Sequence, residues 1–139
     1  MSKFIIIEGT DNVGKDTQQD LIIEKLNNLV FHKVHYSSLP FKEDKDKHAT
    51  YSKKMYDDMF KMMINCKDKD INIIFNRSHL GETIYSPLYR GYSGDYVFDI
   101  EKKYANILRK NLYLITLVND PHTILKRDDG KSFYGNEEE

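Results

Sequence analysis

Phe4-Ile5-Ile6-Ile7-Glu8-Gly9-Thr10-Asp11-Asn12-Val13-Gly14-Lys15-Asp16-Thr17 is the stretch on which the reading of this 139-residue chain turns. Phe4 to Ile7 is a short, unbroken apolar run rich in β-branched side chains, the composition of a strand buried on both faces of a parallel sheet. Gly9 breaks the run. Gly9 and Gly14 enclose four residues and Lys15 follows, which is the spacing of a phosphate-binding loop. Leu21, Ile22, Leu26, Leu29 and Val30 then recur at helical intervals and predict a helix from near Lys15 to Val30.

Strand, glycine loop and helix therefore follow in the order that phosphate binding requires. Glycines let the backbone curl so that successive N–H groups face one anion, and the helix that follows adds the positive end of its dipole. Lysine neutralises the outer phosphate oxygens. Gly9, Thr10, Asp11, Asn12, Val13, Gly14, Lys15, Asp16 and Thr17 are thus the expected seat of the phosphates of ATP. One position departs from the pattern: the Ser or Thr that normally follows the lysine and holds Mg²⁺ is Asp16, with Thr17 one place later. A carboxylate is also a hard oxygen donor, so Asp16 is the expected metal ligand.

Further along, Lys33 to Ser38 is a candidate second strand ended by Pro40, and Lys42 to Lys47 is a polar loop or helix start. Tyr51, Met55, Met59 and Met62 or Met63 recur three or four apart, a stripe read as core packing. Ile71 to Phe75 is another compact apolar run, followed at once by Asn76-Arg77-Ser78. Gly81 to Tyr92 is rich in tyrosine and glycine. Val97, Ile100, Tyr104, Ile107 and Leu108 mark a further amphipathic helix, and Leu112 to Val118 a fourth strand. Pro121 suits the first turn of a short helix reaching Lys126 or Arg127, because its missing N–H would be unpaired there. This alternation predicts an α/β three-layer sandwich on a parallel sheet of four, or five, strands, with ligands outside the strands' carboxyl ends. The length fits one domain over residues 1–139.

With 21 basic and 22 acidic residues the formal charge is −1, so no global positive field points to nucleic acid or to an anionic membrane as partner. Cys66 is the only cysteine, which excludes an internal disulfide, fits a reducing compartment and is read as a core thiol. The amino-terminal apolar run is too short for a secretion signal, and no segment approaches the apolar length of a membrane span. The expected location is the cytoplasm. Histidines 32, 35, 48, 79 and 122 lack zinc-ligand spacing.

Phe4-Ile-Ile-Ile-Glu8-Gly9-x-Asp11-x-x-Gly14-Lys15-x-Thr17-Gln18 resembles the opening of thymidylate kinases, and Glu8, Asp11 and Gln18 lie outside the generic loop pattern. Leu39-Pro40-Phe41-Lys42 is similar to the stretch that contacts the acceptor nucleotide in that family. Ile73-Ile74-Phe75-Asn76-Arg77-Ser78 is similar to its strand ending in Asp-Arg. Asn76-Arg77-Ser78-His79-Leu80-Gly81-Glu82, followed by tyrosines and Arg90-Gly91-Tyr92, looks most like phage and large-virus members.

The resemblance implies ATP-dependent phosphoryl transfer to a deoxynucleoside monophosphate, dTMP to dTDP, with Mg²⁺. It makes Lys15, Arg77 and Arg127 the catalytic residues: Lys15 on ATP, Arg77 with Lys42 on the acceptor phosphate, and Arg127 arriving from a lid-like loop near 123–135. Asp11, Gln18, Pro40 and Tyr85 would line the acceptor, although the tyrosines at 85, 89 and 92 leave that register open. Two departures matter. The family's aspartate before the clamp arginine is Asn76, and its Ser or Thr after the lysine is Asp16. Together they suggest that the acid absent at 76 is supplied at 16.

Two other readings stay open: a deoxynucleoside or other small-molecule kinase on the same scaffold, and a non-catalytic nucleotide-binding protein derived from a kinase. Against the first, Ser37-Ser38-Leu39 stands where nucleoside kinases carry a base after the second strand. For the second, no fifth strand or closing helix follows the lid-like loop. The sequence is then either a piece or a four-stranded sheet whose edge a second copy covers as a homodimer.

Overall fold

A computed structural model describes residues 1–9, 14–36 and 43–118 of the chain. Four strands, β1 (Phe4–Glu8), β2 (Phe31–His35), β3 (Asn72–Asn76) and β4 (Leu112–Thr116), form one parallel sheet in the order β2-β3-β1-β4. Among the described residues four α-helices accompany it, α1 (Lys15–Lys25), α2 (Lys45–Cys66), the short α3 (Glu82–Tyr85) and α4 (Tyr96–Leu108), with a 3-10 turn at His79–Gly81 and a π turn at Ser86–Arg90 on either side of α3.

The central strands are apolar because they are covered twice. Phe4, Ile6, Ile73 and Phe75 face Tyr56, Met59, Phe60 and Met63 of α2 and Val97, Tyr104 and Leu108 of α4. Ile5, Ile7 and Ile74 face the other way, onto Ile22 and Ile23 of α1. Two apolar faces in one unbroken run are what a doubly covered strand demands. The outer strands alternate with more exposed positions, and Tyr113 and Leu114 of β4 lie open. This is the expected three-layer α/β sandwich.

The methionine stripe splits. Met59 and Met63 are fully buried, while Met55 and Met62, half-buried, line a cavity of about 400 Å³ with Tyr36, Tyr51 and Met59. Cys66 packs half-buried against the same core rather than inside it. α2 begins at Lys45, where the Asp44 side chain accepts the Lys47 N–H at 3.1 Å and satisfies one otherwise orphaned donor.

Several boundaries differ from the sequence expectation: β4 ends at Thr116 instead of Val118, β3 runs from Asn72 to Asn76 instead of from Ile71 to Phe75, and α1 and β2 shift more. α1 stops at Lys25 instead of Val30, because Leu26 leaves helical geometry and a turn closes from Leu29 N–H to Leu26 O at 2.9 Å. Asn27 and Asn28 sit inside that turn, residues whose side chains compete for backbone groups. Val30 is 75% exposed, so it never joined the helix's apolar face. β2 accordingly starts two residues before the expected Lys33. Phe31 packs with Ile5 and Ile7 on one face and Val34 against Phe75 and its neighbours on the other.

Because every strand is parallel, the carboxyl ends of β1 and β3 emerge together. Ile7 pairs with Asn76, and the Arg77 N–H donates to Ile7 O at 3.1 Å. The phosphate-loop motif and the Asn-Arg-Ser motif, some sixty residues apart in sequence, leave the sheet side by side.

Candidate active site

Gly14 caps α1 with φ at 99°, in the left-handed region that glycine enters without penalty. Among the described residues no atom lies within 4 Å of where its Cβ would stand, and the positive φ alone calls for glycine there. Lys15 opens the helix. Its side chain is buried and folds back so that Nζ donates to Gly9 O at 2.8 Å, spanning the loop from end to beginning. Asp16, Thr17 and Gln18 are exposed, whereas Gln19 is the glutamine the fold buries. Thr10 to Val13, the Leu39 to Lys42 block with Pro40, the expected helix after Pro121 and the lid-like loop with Arg127 lie outside the described residues.

Asn76 ends β3, 2% exposed, and its Nδ2 donates to Asp16 Oδ1 across from α1. Its Oδ1 is buried and has no hydrogen-bond partner among the described residues. The two positions that depart from the familiar pattern are thus in direct contact. A carboxylate with an adjacent unpaired amide oxygen suits Mg²⁺, which takes one or two protein oxygens and keeps the rest of its shell for water and phosphate.

Arg77 follows with φ at 72°, an unusual conformation for a side chain of this size. Such strain persists where surrounding structure over-determines it, often at functional sites. Here the bond to Ile7 O holds the backbone, and the guanidinium donates through Nη1 to Tyr85 Oη at 3.0 Å. Its Cζ also lies 5.7 Å from the Tyr85 ring centre, and Arg90 approaches that ring at 5.9 Å. Of the three tyrosines considered from sequence, Tyr85 bonds Arg77. Tyr89 stacks beside it at 6.3 Å, and Tyr92 turns instead toward His48, Ser52 and Glu82.

Glu8 sits at the meeting point. Burial raises its carboxyl above the usual range, opposed by hydrogen bonds from Ser78 and by the positive charges of Arg77 and Lys15. Its Oε1 has no hydrogen-bond partner among the described residues. One half-buried acid therefore feels both the loop lysine and the strand-end arginine.

Sequence reasoning did not find the centre of the second network. Glu82 has a fully buried side chain that accepts from Arg90 Nη1 at 2.7 Å, Tyr92 Oη at 3.1 Å and Tyr96 Oη at 2.6 Å. Burial first, and the Glu82 carboxylate after it, push the Tyr96 hydroxyl upward, so it stays a donor. Gly94 makes the arrangement possible: a Cβ there would lie 2.0 Å from Glu82 O and 2.7 Å from Thr83 N. The chain from 91 to 95 thereby closes against α3 and returns two tyrosines to one acid. The only signal in the sequence was Glu82 followed by Arg90, Tyr92 and Tyr96, which spacing alone does not resolve.

No family model and no curated protein matches the chain. Solved structures do. Deoxyadenosine kinase from M. mycoides with bound dATP superposes over 97% of this chain and 77% of its own, at 23% identity and a TM-score of 0.55. The same kinase with dCMP and a flexible dCDP gives 21% identity and a TM-score of 0.51. YorR protein from Bacillus subtilis, in complex with phosphorylated GDP, covers 98% of this chain and 72% of its own, at 18% identity and a TM-score of 0.62. The chain shares their fold.

Proposed function

We propose that the chain transfers the γ-phosphoryl group of ATP to a deoxynucleoside monophosphate, with dTMP the first acceptor to test. The observation that carries this reading is that Lys15, reaching back to Gly9 O, and Arg77, whose N–H bonds Ile7 O, both stand at the edge where β1 and β3 end together. A donor phosphate at Gly9 to Thr17 and an acceptor phosphate on Arg77 would then share one cleft.

In this mechanism a phosphate oxygen of the acceptor, already ionised near neutral pH, attacks the γ-phosphorus, and the bond to the β-bridging oxygen breaks to release ADP. Little acid or base help is needed, so catalysis rests on positioning and on charge neutralisation. Lys15, now bonded to Gly9 O, exchanges that carbonyl for phosphate oxygens. Arg77 offers a planar pair of donors to the acceptor phosphate, and Tyr85 fixes the guanidinium's approach. Asp16 and Asn76 would hold Mg²⁺, which spreads the charge that develops on the phosphates. Arg127, Lys42, Asp11, Gln18 and Pro40 keep the roles that the thymidylate kinase resemblance implies.

A second reading is favoured by the similar solved kinase, whose bound ligands are deoxynucleotides. If the acceptor is a deoxynucleoside, its hydroxyl must lose a proton, and Glu8, held with a raised carboxyl pKa, is the nearby base. A coupled ADP-release assay with each deoxynucleoside and each deoxynucleoside monophosphate separates the two. Turnover with monophosphates alone supports the proposal, and turnover with nucleosides alone replaces it by the second reading. Nucleotide-induced thermal stabilisation without any ADP release leaves a binding protein.

A further inference from the structure

The backbone of Arg77 is held by its bond to Ile7 O, but a guanidinium on a long, rotatable stem needs a second anchor to meet a phosphate at one angle. Tyr85 Oη supplies one, accepting from Arg77 Nη1 at 3.0 Å. Tyr85 belongs to α3, which has four residues and is too short to hold its own place. Support for its ring comes from the turn that follows. The π turn at Ser86–Arg90 carries Arg90 back over Tyr85, with Cζ 5.9 Å from the ring centre, and sets Nη1 2.7 Å from Glu82 Oε1. Glu82 is in turn gripped from two sides. Tyr96 of α4 donates to it at 2.6 Å, and Tyr92, which also meets His48 Nδ1 at 2.7 Å and Ser52 Oγ at 3.2 Å on α2, donates at 3.1 Å. A continuous polar path thus runs from α2 and α4 through Glu82 and Arg90 to the ring that bonds Arg77. The Glu82 carboxylate also offsets the charge of Arg90, which lets two guanidiniums stand 5.7 and 5.9 Å from one ring centre.

Resting on the reading of Arg77 as the acceptor-phosphate clamp, we propose that Glu82 and Arg90 are positioning residues for phosphoryl transfer: their buried ion pair fixes the Tyr85 ring, and the ring fixes the Arg77 guanidinium. Neither needs to touch the acceptor. When Arg90 is removed, the ring loses a flank, and the Arg77 donors meet the acceptor phosphate over a wider range of angles. Misplacement of a reacting group by about 1 Å can cost on the order of a hundredfold in rate, so a change outside the cleft reaches the chemistry through Arg77. ATP, by the same reading, rests on the loop and Lys15, outside this path. Only the acceptor side of the reaction should respond.

The test is a set of double-mutant cycles on transfer from ATP to dTMP by the full chain, run well below the Tm of every variant. Arg90→Met should lower kcat/KM for dTMP by about tenfold or more while KM for ATP stays within about threefold of wild type. Added to Tyr85→Phe, which keeps the ring and loses the hydroxyl, or to Arg77→Ala, the same change should cost about threefold or less, because the path it acts through is already cut. Glu82→Gln/Arg90→Met removes both charges together and replaces Arg90→Met in each cycle if the single variant does not fold, with the same expected losses. Leu108→Ala, a core change at the far end of α4, lowers stability without touching the path and should leave kcat/KM for dTMP within about threefold of wild type. A further loss above about threefold in the Tyr85→Phe or Arg77→Ala background overturns the positioning role, since a residue acting through another cannot act once that partner is gone. So does equal damage to the ATP and dTMP sides, a loss from Leu108→Ala as large as that from Arg90→Met, or no loss from Arg90→Met at all. These outcomes leave the acceptor clamp standing. A wild-type protein that phosphorylates no deoxynucleoside monophosphate overturns the proposed function and this inference together.

Discussion

Replacing Glu82 by Gln removes one negative charge from a fully buried side chain and leaves its shape almost unchanged. The partner guanidinium, Arg90, is 17% exposed and sits 2.7 Å from the carboxylate. Removing one member of a buried ion pair typically costs about 3–5 kcal/mol, because the other charge stays buried without compensation. Water reaching Arg90 recovers part of this, which brings the expected loss to about 2–3 kcal/mol. A second cost arises because the Gln amide presents N–H groups to one of the donors that now bond Oε2, Tyr92 or Tyr96, adding about 1 kcal/mol. The sum, roughly 3 kcal/mol, lowers the Tm of a chain this size by about 10 °C. Differential scanning fluorimetry measures the shift directly. Glu82→Gln/Arg90→Met should lose less than the two single changes added together, since no guanidinium is left unpaired. A Tm for Glu82→Gln within about 2 °C of wild type would refute the claim that this acid organises the α3 region.

Gly94→Ala forces a methyl group onto Glu82 O, where the obstacle is backbone and cannot rotate away, so a loss of about 3 kcal/mol or more in urea denaturation is expected. His48 and His79 are both held below the ordinary imidazole value, each chiefly by burial. Their neutral forms are favoured in the fold, so the stability they contribute is complete above about pH 6.5 and is lost as pH falls toward the lowered values. His79→Gln should flatten the decline in Tm between pH 6.5 and 5, and an unchanged profile would count against that assignment. Glu8 has the opposite sign. With its carboxyl raised, the contribution it makes is full below about pH 4.5 and is lost as pH rises. Glu8→Gln should therefore raise the Tm at pH 7.5, and a Tm at that pH equal to or below wild type would count against the raised carboxyl.

Much of the fold was legible because the decisive patterns are local. Phe4 to Ile7 and Ile73 to Phe75 read as doubly covered strands, and their parallel pairing then had to bring Gly9 and Arg77 to one edge. The misplaced end of α1 shows where locality fails: Leu29 and Val30 continue the apolar spacing, but two asparagines and the need to reverse into β2 stop the helix at Lys25. The Glu82 network was illegible for a different reason. Its acceptor and donors become neighbours only because Gly94 lets two backbones touch, and no periodicity reports a contact of that kind. The contact between Asp16 and Asn76 lay between these cases. Each departure was visible alone, whereas their hydrogen bond required the sheet register.

The central claim is that one cleft holds two phosphates, one on Lys15 and one on Arg77. Its most direct test is single-turnover transfer from radiolabelled γ-phosphate ATP to dTMP, comparing purified wild type with Arg77→Ala, alongside ATP affinity measured on the same samples. The account predicts transfer lowered at least about a hundredfold, roughly 2.7 kcal/mol of barrier, with ATP affinity within about threefold of wild type. Transfer by Arg77→Ala at the wild-type rate would contradict it.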